Sequence, residues 1–407
     1  MPNLSLSMIV KNEEANLRTC LESVKDIVDE IVIVDTGSTD STLNIANEFG
    51  AKIFHFDWVD DFSAARNIAL KQSTGDWILY LDADERLERR SKVELQKILE
   101  TPELVGVNCL INNVDEITGT PKFMKYVRLF KNSDDISFSG KVHEQIENSL
   151  KVNNYSIVDS KIEIVHTGYN LDKAGLKMKA ERNLKPLIEE YKNNPSSYYA
   201  FQLANTYKIL DDKINEIKYH FIAIQYSKLK NEYKAVGYLS LADYAMRDNN
   251  PNLAIEYIDL GLGLNGNYPL LNLVASQVYN SLNEKTKAIE FCKKALLDNR
   301  QIRNRVGILN SIDVLLPEEK ILKHGLYLSL SDANQYTFNY FLLELSRLES
   351  SDKYEVELIE KLNNNIELHD EELNYIGKCA DIDSLDLYLE LISKMENYPE
   401  KGQSVLD

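Results

Sequence analysis

The sequence has no long apolar run: nowhere among its 407 residues does one approach the ~18 in a row that a membrane-crossing helix requires. The first ten residues, MPNLSLSMIV, lack both a positively charged start and an extended apolar centre, so no signal peptide is expected. Closely spaced cysteines are missing as well. Cys20, Cys109, Cys292 and Cys379 are scattered, which suits neither a zinc site nor a disulfide framework and is compatible with a reducing, cytoplasmic location. Nor is there an excess of base: 46 Lys and Arg stand against 64 Asp and Glu, a formal net charge of −18. Phosphate would be repelled over most of such a surface. That argues against broad contact with nucleic acid or anionic lipid and leaves only a local basic site open.

What is present is the composition of a globular protein, 44% apolar and 27% charged, in a chain too long for one ordinary core. Two parts with different periodicity follow. In the first, LSLSMIV at 4–10, IVIV at 31–34, KIFHF at 52–56 and WILYL at 77–81 read as strands. Helical patterns lie between them: Leu17, Leu21 and Val24 on one stripe, then Leu43, Ala46 and Phe49 closed by Gly50, then SAARNIALKQ. This β-α-β-α order predicts an α/β sheet with right-handed crossovers. From Val105 to Val165 shorter, more mixed strands are expected, including VGVNCLI, YVRLF and IEIVH. After about residue 175 the pattern is helical to the end. EIKYHFIAI from Glu216, AIEYIDLGL from Ala254 and AIEFCKKAL from Ala288 start 38 and 34 residues apart, and a small residue (Ala223, Gly261, Ala295) recurs seven further on. Each is preceded by a partner segment, FQLANTYKIL, YLSLADYAM and LNLVASQVY. A period near ~34 predicts tetratricopeptide-like helical hairpins, the alternative being an irregular bundle. The expected division is 1–175 for the sheet domain and 176–407 for the helical one, with repeats at about 196–300 and further helices at 301–407.

Ligands of an open α/β sheet bind beyond the carboxyl ends of its strands. There the sequence puts Lys11-Asn12-Glu13-Glu14 after the first strand, Asp35-Thr36 and GSTDST after the second, and Asp82-Ala83-Asp84-Glu85 after the fourth. Carboxylates gathered at one edge need a cation or a proton to relieve their repulsion. Asp82 and Asp84 are two apart, so in an extended segment their side chains share a direction. Oxygen ligands of this kind suit Mg²⁺ or Mn²⁺, which share their shell with water and phosphate. A solvated acidic turn is the alternative reading.

MIVKNEEANLRTCLESV, IVIVDTGSTDST, DFSAARNIAL and GDWILYLDADE, in that order, resemble the family 2 glycosyltransferases of GT-A fold. YVRLF, SGKVHEQI at 139–146 and IVHTGYN at 164–170 extend the resemblance to the bacteriocin glycosyltransferases of the sublancin type, which modify a peptide cysteine and carry C-terminal helical repeats. The N-terminal extension of that type is not matched, and its role is not carried over. The resemblance implies that Val10, Asn12 and Glu14 border the nucleotide base and that Asp35 contacts uracil or ribose. It puts Arg66 near base and diphosphate, Asp82 on the ribose and metal side, Asp84 on the metal, and His166 as a further metal ligand in place of an ordinary strand-end histidine. Glu144 is the candidate base, with His143 as neighbour or substitute; the competing reading pairs Glu144 with Lys141 or Arg128.

The expected activity is inverting, non-processive, metal-dependent transfer of a hexose or N-acetylhexosamine from a UDP-sugar to Cys, Ser or Thr of a peptide or protein. A repeat surface suits chain-like acceptors, and there is no QxxRW sequence of a processive synthase. A lipid-linked or cell-surface saccharide acceptor, or a non-catalytic repeat scaffold, remains open. A nucleotidyltransferase would open with a Gly-rich loop where this chain has KNEEAN. The resemblance also implies a homodimer formed through the helical part. Phe56, Trp58 and Phe62 read as packing, and Glu88-Arg89-Arg90 and Asp370-Glu371-Glu372 as solvated helix faces.

Overall fold

The computed structural model describes residues 2–101, 105–114, 121–167, 173–264, 267–304, 312–379 and 384–393. The chain begins β1 (Leu4–Val10), α1 (Leu17–Val24), β2 (Glu30–Asp35), α2 (Thr42–Glu48), β3 (Lys52–His55), α3 (Phe62–Gln72) and β4 (Trp77–Tyr80). It continues with β5 (Glu85–Leu87), α4 (Ser91–Leu99), β6 (Gly106–Val114), β7 (Pro121–Lys131), α5 (Glu147–Val152) and β8 (Ile157–His166). The strands lie in the order β3-β2-β1-β4-β7-β6-β8-β5. β3, β2, β1 and β4 run parallel, whereas β7 is antiparallel to both β4 and β6.

Alternation along β4 shows why its run is wholly apolar. Trp77 and Leu79 enter the core that also holds Leu6, Met8, Leu17 and Leu21, while Ile78 and Tyr80 enter a second core with Phe130, Phe138 and Ile146 on the opposite face. A strand covered on both sides has no solvent face to mark with polar residues. The expected α/β sheet with helices after it is therefore what the chain builds.

Several local expectations are corrected. β6, β7 and β8 have 9, 11 and 10 residues, longer than the 4 of β3 or β4. Half-exposed positions such as Asn108, Asn112 and Lys125 interrupt their apolar runs, so only fragments looked like strand. In α2 the buried stripe is Thr42, Ile45 and Ala46, with Leu43 only half-buried. Glu88 and Arg89 precede a helix instead of lying on one, and Arg90 caps α4 while its guanidinium reaches Glu163 at 2.6 Å. Gly168, Tyr169 and Asn170 of the HTGYN segment lie outside the described residues.

The helices that follow are α6 (Lys173–Asn193), α7 (Ser197–Ile209), α8 (Lys213–Gln225), α9 (Asn231–Arg247), α10 (Pro251–Leu262), α11 (Pro269–Ser281) and α12 (Lys285–Asn304). A short strand, β9 (Ile312–Val314), pairs with β7, so residues after 300 are not helical throughout. Then come α13 (Glu318–Ser331), α14 (Gln335–Arg347), α15 (Lys353–Asn363), α16 (Asp370–Cys379) and α17 (Leu385–Ser393). Residues up to Gly237, with Ile312 and Asp313, form one compact unit, and those from Tyr238 on form most of a second.

The three similar segments are α8, α10 and α12, and their partners α7, α9 and α11. Their shared small residue is a packing requirement. Ala223 and Ala295 are fully buried, and a Cβ on Gly261 would come within 2.7 Å of Leu271. Each of these hairpins turns through a left-handed residue, Asp211 (φ 59°), Asn249 (φ 54°) or Asn283 (φ 61°). Ala333 (φ 50°) before α14 and Asn365 (φ 54°) before α16 do the same, so the turn recurs beyond the region where similarity fades. Asp212, Asn250 and Asn334, next in sequence, accept the backbone N–H three residues on and start the following helix. Among the described residues, no helix is long and apolar enough to cross a membrane.

Candidate active site

The ends of β1 and β2 are laced together by side chains that hold backbone. Val10 is buried, and its carbonyl accepts both the N–H and the hydroxyl of Thr36, at 3.0 and 3.1 Å. Asn12 adopts φ 56°, which turns its Oδ1 onto the N–H of Thr39 at 2.7 Å. Glu14 Oε2 accepts the N–H of Ser41 at 3.0 Å. Asp35, also buried, accepts the N–H groups of Gly37 at 3.2 Å and Ser38 at 3.0 Å, and His55 Nδ1 lies 3.4 Å away. Gly37 at φ +105° takes a conformation that a side chain would resist. These four expected nucleotide-side residues thus meet at the adjoining ends of β1 and β2.

Beyond β4 the acids hold arginine instead. Asp61 caps α3 by accepting the N–H of Ala64, and one turn later Arg66 projects into the cluster. Arg66 Nη2 reaches Asp82 Oδ1 at 2.6 Å and its Nε reaches Glu144 Oε1 at 2.5 Å. Arg128 donates to Glu85 at 2.6 Å and lies 3.5 Å from Asp82 Oδ2, while Glu85 Oε2 accepts the N–H of Asp82 at 2.9 Å. The Tyr80 ring lies under both guanidinium groups, at 5.2 and 4.4 Å.

Both arginines and Glu85 are buried, so each charge survives only by pairing. Burial alone would raise the Asp82 carboxyl, but Arg66 and Arg128 hold it well below the usual carboxylate range. At Glu85 burial outweighs the pull of Arg128 and the carboxyl is raised. Glu144 pairs with Arg66, not with Lys141 or Arg128; Lys141 lies 3.8 Å from Glu189. His143 sits in a left-handed turn (φ 56°), and burial pushes its imidazole down to about 4, so it is neutral at pH 7.

Asp84 and His166 form the third group. Antiparallel pairing of β5 with β8 sets Glu85 opposite His166, which brings Asp84 Oδ2 to 3.2 Å from His166 Nε2. His166 Nδ1 lies 2.7 Å from Asn113 Oδ1 on the neighbouring strand. With Nδ1–H donated to that oxygen, Nε2–H donates to Asp84; burial opposes the charged imidazole, but Asp84 outweighs it and raises the group, and a metal ion would take the place of the Nε2 proton. Among the described residues, no three His, Cys, Asp or Glu side chains converge closely enough to hold an ion unaided. Asp82 is turned to the arginines, so an ion at Asp84 and His166 would complete its shell from diphosphate and water, as small divalent cations commonly do. A carboxylate beside an imidazole fits Mn²⁺ better than Mg²⁺, which prefers oxygen.

The arginine cluster and His166 border a cavity of about 230 Å³ lined by Arg66, Asp82, Asn113, Arg128, Glu144 and Tyr198, among others, whereas Asp84 and the β1–β2 residues Val10, Asn12, Glu14 and Asp35 are not among its lining residues. Of the lining residues, Asn113 carries no expectation from sequence, Glu85 only that of the acidic run after β4, and Arg128 only that of a competing partner for Glu144. Two of them carried a signal: Glu85 continues the acidic run after β4, and Arg128 interrupts an apolar strand at the register of Tyr126. The edge-on contact of Trp58 with Phe62, centroids 4.7 Å apart, bears out packing for those two aromatics.

Residues 5–146 match the model of glycosyl transferase family 2. They form a family 2 glycosyltransferase domain. The chain is 40% identical over 205 residues to a TPR repeat-containing protein of Synechococcus elongatus, covering 49% of this chain and 50% of that protein. To the prophage-derived glycosyltransferase SunS of Bacillus subtilis it is 28% identical over 268 residues, 65% of this chain and 62% of that one. The chain thus spans between half and two thirds of the length of these two relatives. Staphylococcus aureus TarS is a distant structural neighbour at 15% identity and TM-score 0.36, covering 63% of this chain and 55% of its own, too slight a likeness to speak of ligands. The glycosyltransferase domain contains all the candidate residues above except His166, which follows the matched span on β8.

Proposed function

We propose that the chain transfers a hexose or N-acetylhexosamine from a UDP-sugar to a cysteine, serine or threonine of a peptide or protein, with inversion and without processivity. The observation that carries this reading is the meeting of Asp84 with His166 beside the Arg66–Asp82–Glu144 cluster, at the strand ends of a family 2 domain. Uridine would lie against Val10, Asn12, Glu14 and Asp35, and Asp82, engaged by Arg66 and Arg128 rather than by the ion, would face the ribose. Asp84 and His166 would hold Mg²⁺ or Mn²⁺, which when bound supplies Lewis-acid neutralisation of the departing diphosphate.

The acceptor oxygen or sulfur attacks the anomeric carbon on the face opposite the nucleotide. The bond from that carbon to the phosphate oxygen breaks, its electron pair leaves with UDP, and the acceptor proton passes to Glu144. The Glu144 carboxylate is held by Arg66, and burial lowers the His143 imidazole to about 4, so His143 is a weak base. A weak base suffices for a thiol, whose ordinary pKa is about 8.5. That favours cysteine among the three acceptors. The peptide acceptor is further supported by the successive helical hairpins after the sheet. A cytoplasmic location, a dimer through the helices and a functional boundary near residue 175 belong to the same reading.

Release of UDP from UDP-glucose or UDP-N-acetylglucosamine, measured without acceptor, tests it. Hydrolysis should require a divalent ion and fall by at least about 100-fold in Asp84→Ala. Hydrolysis surviving complete chelation would remove the metal from the proposal, and no turnover with any UDP-hexose would remove the transferase.

A further inference from the structure

The segment 139–147, which carries Glu144, is gripped from two sides within the first compact unit. From the sheet side, Phe62 donates its N–H to the Lys141 carbonyl at 2.9 Å and Arg66 holds the Glu144 carboxylate. From the helical side, the Tyr198 hydroxyl of α7 donates to the His143 carbonyl at 3.3 Å and accepts from the Gln145 side chain at 2.7 Å. It therefore holds the residue before Glu144 and the residue after it. Gly140, at φ +99°, leaves room for the neighbouring ring: a Cβ there would meet the Tyr199 hydroxyl at 2.8 Å. Lys230, just before α9, reaches Glu147 at 3.3 Å and closes the far end. The segment has little regular structure of its own, only the reciprocal backbone bonds between Ser139 and Gln145, and it turns through the left-handed His143. The left-handed conformation costs a non-glycine residue about 1–2 kcal/mol, which these outside partners offset.

We propose that Tyr198 is a positioning residue, through which helix α7 fixes the His143–Gln145 turn and so aims Glu144 into the cavity. The inference rests on the transferase reading for its kinetic consequence alone. The structural claim stands by itself: residues 1–175 hold the turn from the sheet side only, and its partner on the other side, Tyr198, comes from a helix beyond the sheet.

Tyr198→Phe in the full chain keeps the ring and removes the hydroxyl, and Gln145→Leu removes the opposite half of the contact. Both should raise amide exchange across 139–147 by about tenfold with exchange elsewhere unchanged. They should also lower turnover of UDP-sugar about ten- to a hundredfold, with the Michaelis constant for the donor within about twofold. Unchanged exchange in both variants overturns the proposal. So does a loss seen in Tyr198→Leu but not in Tyr198→Phe, which would assign the effect to ring packing. If the wild-type chain hydrolyses no UDP-sugar, the transferase reading falls, and the exchange measurement still decides the role of Tyr198.

Discussion

The two banks of this site use carboxylates for opposite purposes. On the bank formed by β1 and β2, Asp35 and Glu14 accept from backbone N–H groups, and their charge goes into the shape of a loop. On the bank formed by β4 and β7, Asp82, Glu85 and Glu144 accept from two buried arginines, and their charge is balanced side chain to side chain. A loop held through its own backbone is a fixed surface, suited to a flat ligand such as a base. Arginine held by carboxylates can change partners without being left unpaired, which suits a ligand that brings its own negative charge.

That contrast breaks most visibly at Arg66. Arg66→Met leaves Asp82 and Glu144 without their common cation, so turnover should fall about 10²–10³-fold and stability by about 3 kcal/mol, read from UDP release and thermal melts. Wild-type turnover in that variant would mean the bank is merely structural.

Glu30, at the start of β2, extends the first pattern to the other end of the strand. It accepts from the backbone and hydroxyl of Thr74, from Ser5 and from Lys52, and although burial opposes it, these partners lower its carboxyl from 4.5 to about 2. A depressed acid stabilises the fold fully above its unfolded value and loses that contribution as pH falls toward the folded one. Glu30→Gln should therefore cost on the order of 1–2 kcal/mol at pH 7. In urea melts the gap from wild type should close between about pH 4.5 and 2; a gap undiminished at pH 2.5 would assign the loss to packing. The smallest effect is expected at Asn12. Asn12→Gly should lose only the bond to Thr39, about 0.5–1 kcal/mol, whereas Asn12→Ala also puts a side chain at φ 56° and should lose about 1 kcal/mol more. Equal losses would show that the loop is not held in that conformation.

The same division governs what could be read from sequence. Residues directly after β1, β2 and β4 were identifiable because strands buried on both faces announce themselves as apolar runs, and position after a strand is itself the clue. Partners were not identifiable. Arg66 meets Glu144 across 78 residues and Arg128 meets Glu85 across 43, and neither separation leaves a periodic trace. β5, only three residues long, is below the length at which alternation is detectable, yet its pairing with β8 brings Asp84 to His166. In the helical part the small residue was visible where it recurs in α8, α10 and α12. In α13 the same need for close approach is met differently, with Gly325 set against the Phe341 ring, and similarity of letters stops there.

The left-handed turns have an evolutionary consequence. A helical hairpin that closes on one asparagine-like residue and starts its second helix from the next side chain carries its own folding instructions, so a copy can be gained or lost without re-registering its neighbours. The sheet has no such freedom, since one residue inserted in β5 or β8 would turn either Asp84 or His166 to the wrong face. Descendants of this chain should therefore differ in how many hairpins they carry long before they differ in the spacing that joins those two strands.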